Sequence, residues 1–160
     1  MFDFLKKKKK VEVQTPFAGE VKSITDVPDP VFSQKMVGDG FAVEPGSGRV
    51  HCVAPISGEL SVLFPTGHAY GIKDEHGLEV LVHLGLDTVE LSGDGFTVLK
   101  KQGEQVTAGE PIIEMDVDKI LAAGKASITP VVFTNQEVIA SLEVHEGPSS
   151  GGVVCTVELK

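Results

Sequence analysis

The chain contains no tryptophan, a single tyrosine and two cysteines among its 160 residues. Cys52 and Cys155 lie in strand-like runs without a Cys-x-x-Cys pair, so we expect reduced thiols packed in the interior of a cytoplasmic protein. No apolar run approaches the roughly 20 residues that a membrane-spanning helix requires. The first residues also do not resemble a signal peptide, because their lysines follow the short apolar stretch instead of preceding it.

Basic residues are scarce, with 14 Lys and Arg against 23 Asp and Glu and a net charge of −9. Five lysines and Asp3 give residues 1–10 a charge of +4, so residues 11–160 carry −13. An acidic body of this kind excludes nucleic-acid binding and suits a basic protein partner. We expect residues 1–10 to be a flexible basic tail, either solvated or in weak contact with an anionic membrane surface. Residues 11–160 are predicted to form one domain.

Turn signals recur every 8 to 12 residues, and short runs rich in valine, isoleucine and phenylalanine lie between them. This spacing is typical of antiparallel all-β proteins. Only residues 116–124 have a helical pattern, with Gly124 as the expected C-cap. The sequence therefore predicts an all-β, antiparallel β-sandwich or barrel with one or two short helices.

Two histidines occur in a predicted hairpin, whose strands cover residues 67–73 and 78–83. A loop centred between residues 75 and 76 would place His68 directly opposite His83 on one face of the sheet, with Cβ atoms roughly 4.5–5.5 Å apart. The opposite face is predicted to be core. The residues assigned to that core face are Leu78, Val80 and Val82, and those assigned to the histidine face are Tyr70, Ile72, Glu79 and Leu81.

A facing pair of imidazoles favours two kinds of chemistry. A neutral imidazole is a nucleophile near pH 7, so one histidine can accept a phosphoryl group while the other donates an N–H to it. Two imidazoles can also bind zinc, and a zinc hydrolase is the alternative, although it needs a third ligand and a general base. Thr66 lies two residues before His68, whereas the other histidines lack such neighbours and are predicted to be structural or solvated. These are His51, His76 and His145.

From about residue 11 to residue 160, the sequence resembles the glucose-family enzyme IIA domain of the phosphoenolpyruvate-dependent sugar phosphotransferase system. The most specific segments are Thr-Gly-His-Ala at 66–69 and Val-His-Leu-Gly-Leu-Asp-Thr-Val-Glu-Leu at 82–91. Further matching segments are residues 18–20, 26–32, 35–45, 53–58 and 129–135.

The resemblance implies that His83 accepts the phosphoryl group through Nε2. It also implies that His68 hydrogen-bonds that group, that Thr66 orients His68, and that a carbonyl near Gly85 binds His83 Nδ1–H. Phospho-HPr would be the donor and a cysteine of an enzyme IIB domain the acceptor, with no cofactor required. Docking on metabolic enzymes and transporters according to phosphorylation would be a regulatory role, with zinc bound by His68 and His83 only at a partner contact.

The resemblance further implies a docking rim around the two histidines. An apolar ring with flanking carboxylates is a suitable surface for a transient basic partner. The apolar positions of this rim are Val31, Phe32, Met36, Val37, Phe64, Leu81 and Val89, and the acidic positions are Asp29 and Asp87.

Overall fold

The computed structural model describes residues 9–160, which form mainly short antiparallel strands. The strands are β1 (Lys10–Gln14), β2 (Gly19–Ser23), β3 (Asp39–Pro45), β4 (Arg49–Val53), β5 (Gly58–Leu63), β6 (Ala69–Lys73), β7 (Glu79–His83), β8 (Phe96–Val98), β9 (Gln105–Val106), β10 (Pro111–Asp116), β11 (Thr129–Phe133), β12 (Ile139–Val144), β13 (Gly147–Ser149) and β14 (Val153–Leu159). The helices are α1 (Pro30–Ser33), α2 (Val117–Ala122) and the 3-10 helices Ile24–Asp26, Thr88–Leu91 and Gln136–Val138.

The strands of residues 9–160 are arranged in three sheets. The largest has eight strands in the order β13-β2-β3-β11-β7-β6-β5-β9, and the two smaller sheets have the orders β1-β14-β12 and β4-β10-β8. Neighbouring strands are antiparallel throughout these sheets. The predicted all-β antiparallel class with one or two short helices is therefore confirmed, and the described residues contain two short α-helices.

The core follows from the alternation of side chains along the strands. In β7, Val80 and Val82 are buried between half-buried neighbours, and the fully buried Tyr70 of β6 lies in the same apolar cluster. The Tyr70 hydroxyl donates a 2.7 Å hydrogen bond to the carbonyl of Val53 at the end of β4, which links the largest sheet to a smaller one. A second, smaller apolar cluster lies beside α1. It contains Ile24, Val27, Phe32, Ala42, Leu86, Ile128 and Val132.

The predicted helix at residues 116–124 is present as α2. The Asp116 side chain accepts a hydrogen bond from Lys119 N at 3.2 Å and caps the N-terminus. Gly124 follows with a φ of +80°, in the left-handed region that favours glycine after a helix. The sequence did not locate α1, where Asp29 is the N-cap and Pro30 the first helical residue.

The prediction of a basic tail concerns mainly residues 1–8, which lie outside the described residues. Lys9 already accepts a backbone hydrogen bond from Leu159 N, and Lys10 begins β1. Cys52 and Cys155 are free and buried, and burial raises the pKa of Cys155 to about 12. No helix in residues 9–160 has the length and apolar character needed to cross a bilayer.

Candidate active site

The histidine hairpin has a register that differs by one residue from the prediction. Ala69, and not His68, lies opposite His83. The loop has five residues, 74–78, because the Asp74 side chain accepts hydrogen bonds from the amides of His76 and Leu78 at 2.9 and 2.8 Å. The direct pairing of His68 with His83 was therefore wrong.

The shift in register also changes which side chains share a face. Tyr70 and Ile72 were predicted beside the histidines, but both are buried in the main apolar cluster with Val80 and Val82. Leu81 lies opposite Gly71, on the face that also carries His83. The assignment of Tyr70 and Ile72 to the histidine face was therefore wrong, because it depended on the incorrect loop length.

The two imidazole rings nevertheless meet. Their centroids are 5.4 Å apart and their planes are inclined by 73°. His68 precedes the first residue of β6 and follows Gly67, whose φ of +78° is outside the strand region, so the alternation of a regular strand does not fix its side chain. The amide of Leu84 donates to the His68 carbonyl at 2.7 Å and joins the two histidine segments.

His83 is held in one tautomer by its neighbour. The distance between Nδ1 of His83 and the carbonyl oxygen of Gly85 is 2.7 Å, and a carbonyl can only accept, so Nδ1 carries the proton. Burial lowers the pKa of His83, against the hydrogen bond to Gly85 and the charges of Asp29 and Asp87, which raise it. The neutral ring therefore has a lone pair on Nε2.

His68 is buried, with 3% of its surface exposed, and its Nδ1 lies 2.7 Å from the Thr66 hydroxyl. Burial, followed by the proximity of His83, lowers the pKa of His68 and favours the neutral ring. When the Thr66 hydroxyl donates to Nδ1, the single ring proton of His68 is on Nε2. His68 then has an N–H to donate and His83 has a lone pair.

Two aromatic side chains contact the histidine rings. The Phe32 ring of α1 lies 5.3 Å from the His83 ring, and the Phe64 ring lies 4.8 Å from the His68 ring in an edge-on arrangement. Phe32 is buried and therefore contacts His83 from the interior of the protein, whereas Phe64 is 41% exposed.

The other predicted rim positions divide by exposure. Val31, Met36 and Val89 are exposed, with Met36 the most exposed at 70%, while Val37 and Leu81 are half-buried against the smaller apolar cluster. Exposed apolar side chains near a reactive group are typical of a docking surface.

Asp29 and Asp87 lie close enough to His83 to raise its pKa. Asp29 accepts from Val31 N at 2.9 Å as the N-cap of α1. Asp87 is exposed and has a left-handed φ of +56° just before the 3-10 helix Thr88–Leu91. Both carboxylates therefore lie near His83.

An apolar depression of about 250 Å³ opens beside the site and was not predicted. Gly71 lies opposite Leu81 and leaves room that a side chain would fill. Val62, which is 39% exposed, and Phe64 also line the depression. A glycine between two strand residues was the one sequence signal for this feature.

The remaining described histidines have separate carboxylate neighbours. The nearest Nε2-to-oxygen distances are 3.3 Å from His51 to Glu114, 3.3 Å from His76 to Glu75 and 3.8 Å from His145 to Glu143. Within residues 9–160, no group of three or more His, Cys, Asp or Glu side chains is placed to hold a metal ion.

The chain is an antiparallel β-sandwich domain in which two imidazole rings meet at a partly apolar surface. The protein-family model described as phosphoenolpyruvate-dependent sugar phosphotransferase system, EIIA 1, matches residues 11–139 of this chain. The PTS system glucose-specific EIIA component of Staphylococcus aureus is 44% identical over 138 residues, 86% of this chain and 82% of that protein.

Two further relatives agree with this match. The glucose-specific EIICBA component of Streptococcus pneumoniae is 49% identical over 150 residues, which are 92% of this chain but 20% of that longer protein. The solved structure of glucose permease IIA from Mycoplasma capricolum has a TM-score of 0.86 and 38% identity, and the match covers 92% of this chain and 96% of that one.

The chain belongs to the EIIA 1 family of the phosphoenolpyruvate-dependent sugar phosphotransferase system. It is therefore a phosphotransferase component. The zinc-hydrolase alternative is not supported by these relatives.

Proposed function

We propose that the protein carries a phosphoryl group on Nε2 of His83. The observation that carries this proposal is the 2.7 Å contact between His83 Nδ1 and the Gly85 carbonyl, which leaves Nε2 unprotonated. The Nε2 lone pair attacks phosphorus, the bond from phosphorus to the donor atom breaks, and the donor leaves with that electron pair.

His68 is proposed to stabilise the transferred group. Its Nε2–H donates to a phosphoryl oxygen, and the Thr66 hydroxyl at 2.7 Å from Nδ1 orients the ring for that contact. The ring separation of 5.4 Å supports this role, because a group bound to one ring lies within reach of the other ring. No cofactor takes part in this step.

We propose phospho-HPr as the donor and a cysteine of an enzyme IIB domain as the acceptor. The Streptococcus pneumoniae relative is named as one component with EIIC, B and A parts, which supports a B-type partner for this chain. The names of the relatives also support glucose as the sugar taken up by such a system. The proposed reaction takes place in the cytoplasm.

The proposed docking surface for both partners surrounds the histidines. Met36, Phe64 and Val89 provide exposed apolar area, and Asp29 and Asp87 provide negative charge. A charge of −13 on residues 11–160 favours approach of a basic partner. Because the phosphoryl group would lie on this surface, its addition is also proposed to change binding to metabolic enzymes and transporters.

Phosphorylation assays with mapping of the modified residue test the proposal. The protein is incubated with phosphoenolpyruvate, enzyme I and HPr, and mass spectrometry under conditions that preserve phosphohistidine locates the group. We expect one phosphohistidine at His83, its loss in His83→Ala, and normal labelling in His145→Ala, which removes an exposed histidine. Normal labelling of His83→Ala would refute the assignment.

Two minor proposals concern zinc and the lysine-rich segment. His68 and His83 supply two imidazole ligands, so a zinc site would need the remaining ligands from a partner. Titration of the isolated protein with zinc is expected to show no tight stoichiometric binding.

Weak contact of residues 1–10 with an anionic membrane surface is tested by cosedimentation with vesicles that contain anionic lipid, in comparison with neutral vesicles.

A further inference from the structure

The peptide group between Leu84 and Gly85 is held at both ends by threonine hydroxyls. Thr88 Oγ1 donates to the Leu84 carbonyl at 2.6 Å, and Gly85 N–H donates to Thr129 Oγ1 at 3.4 Å. The Thr129 hydroxyl donates in turn to the Ser127 carbonyl at 3.1 Å. Thr88 and Thr129 are completely buried, so water cannot replace these hydroxyls without a change in structure.

The next peptide group points its carbonyl at His83. Gly85 C=O and Leu86 N–H belong to one planar unit and point in opposite directions. Leu86 N–H donates to the Ala126 carbonyl at 3.0 Å, and the Gly85 carbonyl lies 2.7 Å from His83 Nδ1. The orientation of this peptide group therefore determines where the proton of the neutral His83 ring resides.

Gly85 itself does not fix that orientation. Its φ is +76°, and a Cβ at this position would lie 2.7 Å from both the Ala126 carbonyl oxygen and Thr88 Cγ2. The close approach requires glycine, yet glycine is the residue whose backbone rotates most freely. The restraint must come from the hydrogen bonds around it.

We infer that Thr88 and Thr129 are positioning residues, which hold Gly85 so that its carbonyl keeps the His83 proton on Nδ1 and leaves Nε2 free. Neither threonine touches the transferred group. The position of the His83 ring proton is a property of the free protein, and its consequence for phosphoryl transfer rests on the proposed function of His83. Loss of either hydroxyl frees one end of the Leu84–Gly85 peptide group, so that the hydrogen bond from Leu86 N–H to Ala126 alone holds the Gly85 carbonyl towards Nδ1 and the carbonyl can turn away in part of the population.

Thr129→Val tests this inference, with Thr15→Val as the matched control. Valine keeps the shape of threonine and suits the strand position of Thr129. Thr15 is also buried, at 1% exposure, and its hydroxyl donates to the Phe17 carbonyl at 2.7 Å, outside the histidine site. The two substitutions therefore remove one buried hydroxyl each.

Nitrogen-15 NMR of the His83 ring in the unphosphorylated protein gives the decisive readout. We expect a proton on Nδ1 in the wild type and in Thr15→Val, and a population with the proton on Nε2 in Thr129→Val. The pKa of His83 is expected to fall in Thr129→Val, because the hydrogen bond to Gly85 raises it. Phosphorylation by phospho-HPr is expected to fall about 10-fold, and Thr129→Ser is expected to restore all three properties.

Thr88→Val provides an independent test if Thr129→Val does not fold, because it frees the carbonyl end of the same peptide group. An unchanged His83 tautomer and pKa in the folded variants would overturn the inference. A tautomer shift in a protein whose wild type is phosphorylated elsewhere would support the inference and overturn the proposed role of His83.

Discussion

The backbone amide of Leu84 donates a 2.7 Å hydrogen bond to the carbonyl of His68. Leu84 directly follows His83, so this bond links the two histidine segments just beyond the paired residues Ala69 and His83. A displacement of either histidine backbone is therefore transmitted to the other. The individual roles of the two histidines are therefore best tested by substitution of their side chains.

His68→Gln is expected to separate acceptance of the phosphoryl group from its transfer onward. The amide lacks the ring that Thr66 orients, so the donor to the phosphoryl oxygens is less precisely placed. We expect stoichiometric labelling of His83 but transfer to the IIB cysteine slowed about 100-fold, as for loss of one preorganised donor. Rapid-quench measurement of each half-reaction checks this. A variant that matches the wild type in both would remove His68 from the mechanism.

Gly85→Ala is expected to lower both stability and phosphorylation. The new Cβ would meet two atoms at 2.7 Å in a residue with a φ of +76°, so we expect a loss of about 2–4 kcal/mol in the free energy of unfolding. Urea denaturation measures it. The control is Gly77→Ala, at a φ of +89° with nothing within 4 Å, where the backbone strain alone costs about 1 kcal/mol. Equal losses would contradict the close approach at Gly85.

Acidification is expected to destabilise the protein through the histidine pair. Burial lowers the pKa of both His68 and His83 below the ordinary 6.5. At pH values between 6.5 and the lowered pKa values of the folded protein, the unfolded chain binds more protons than the folded one. The free energy of unfolding therefore decreases as the pH falls. Urea denaturation at pH 7.5 and 5.5 measures this difference.

His68→Gln is the comparison for the effect of pH, because it removes one of the two histidines whose pKa is lowered. A smaller loss of stability between pH 7.5 and 5.5 is expected in this variant. If the wild type and His68→Gln lose the same stability over this interval, protonation of His68 does not contribute.

Asp87→Asn is expected to slow association with a basic donor while preserving the fold. Asparagine tolerates the left-handed backbone that Asp87 adopts. We expect phosphorylation by phospho-HPr to slow about 3- to 10-fold at low ionic strength and to depend less on salt. Measurement at pH 8 keeps His83 neutral in both proteins. Glu75→Gln, in the hairpin loop at the far end with an 84% exposed side chain, is the control. Identical salt dependence would argue against docking at Asp87.

The fold class was predictable because it depends on local signals. Regular turn residues and short β-branched runs indicated antiparallel strands, and Asp116 with Gly124 delimited α2. The four residues of α1 were too few to show a helical period, although Asp29 and Pro30 carried an N-terminal signal.

The sequence predicted that His68 and His83 lie together, but it did not predict the backbone arrangement that brings their rings into contact. The hairpin register was wrong because the Asp74 side chain accepts two amide hydrogen bonds and lengthens the loop by one residue. The contact of the histidines then depends on His68 preceding the regular strand, which no periodicity reveals. The support from Thr129, 44 residues after Gly85, depends on strand order and is likewise invisible in a local pattern.

Tyr70 is the single tyrosine of a chain without tryptophan, and its hydroxyl bridges from the histidine hairpin to Val53 in another sheet. Tyrosine bands in near-ultraviolet circular dichroism consequently arise from Tyr70 alone. The protein thus contains its own optical probe of how tightly the two sheets are joined. Spectra recorded before and after phosphorylation would reveal whether the chemical event at the surface reaches the interior.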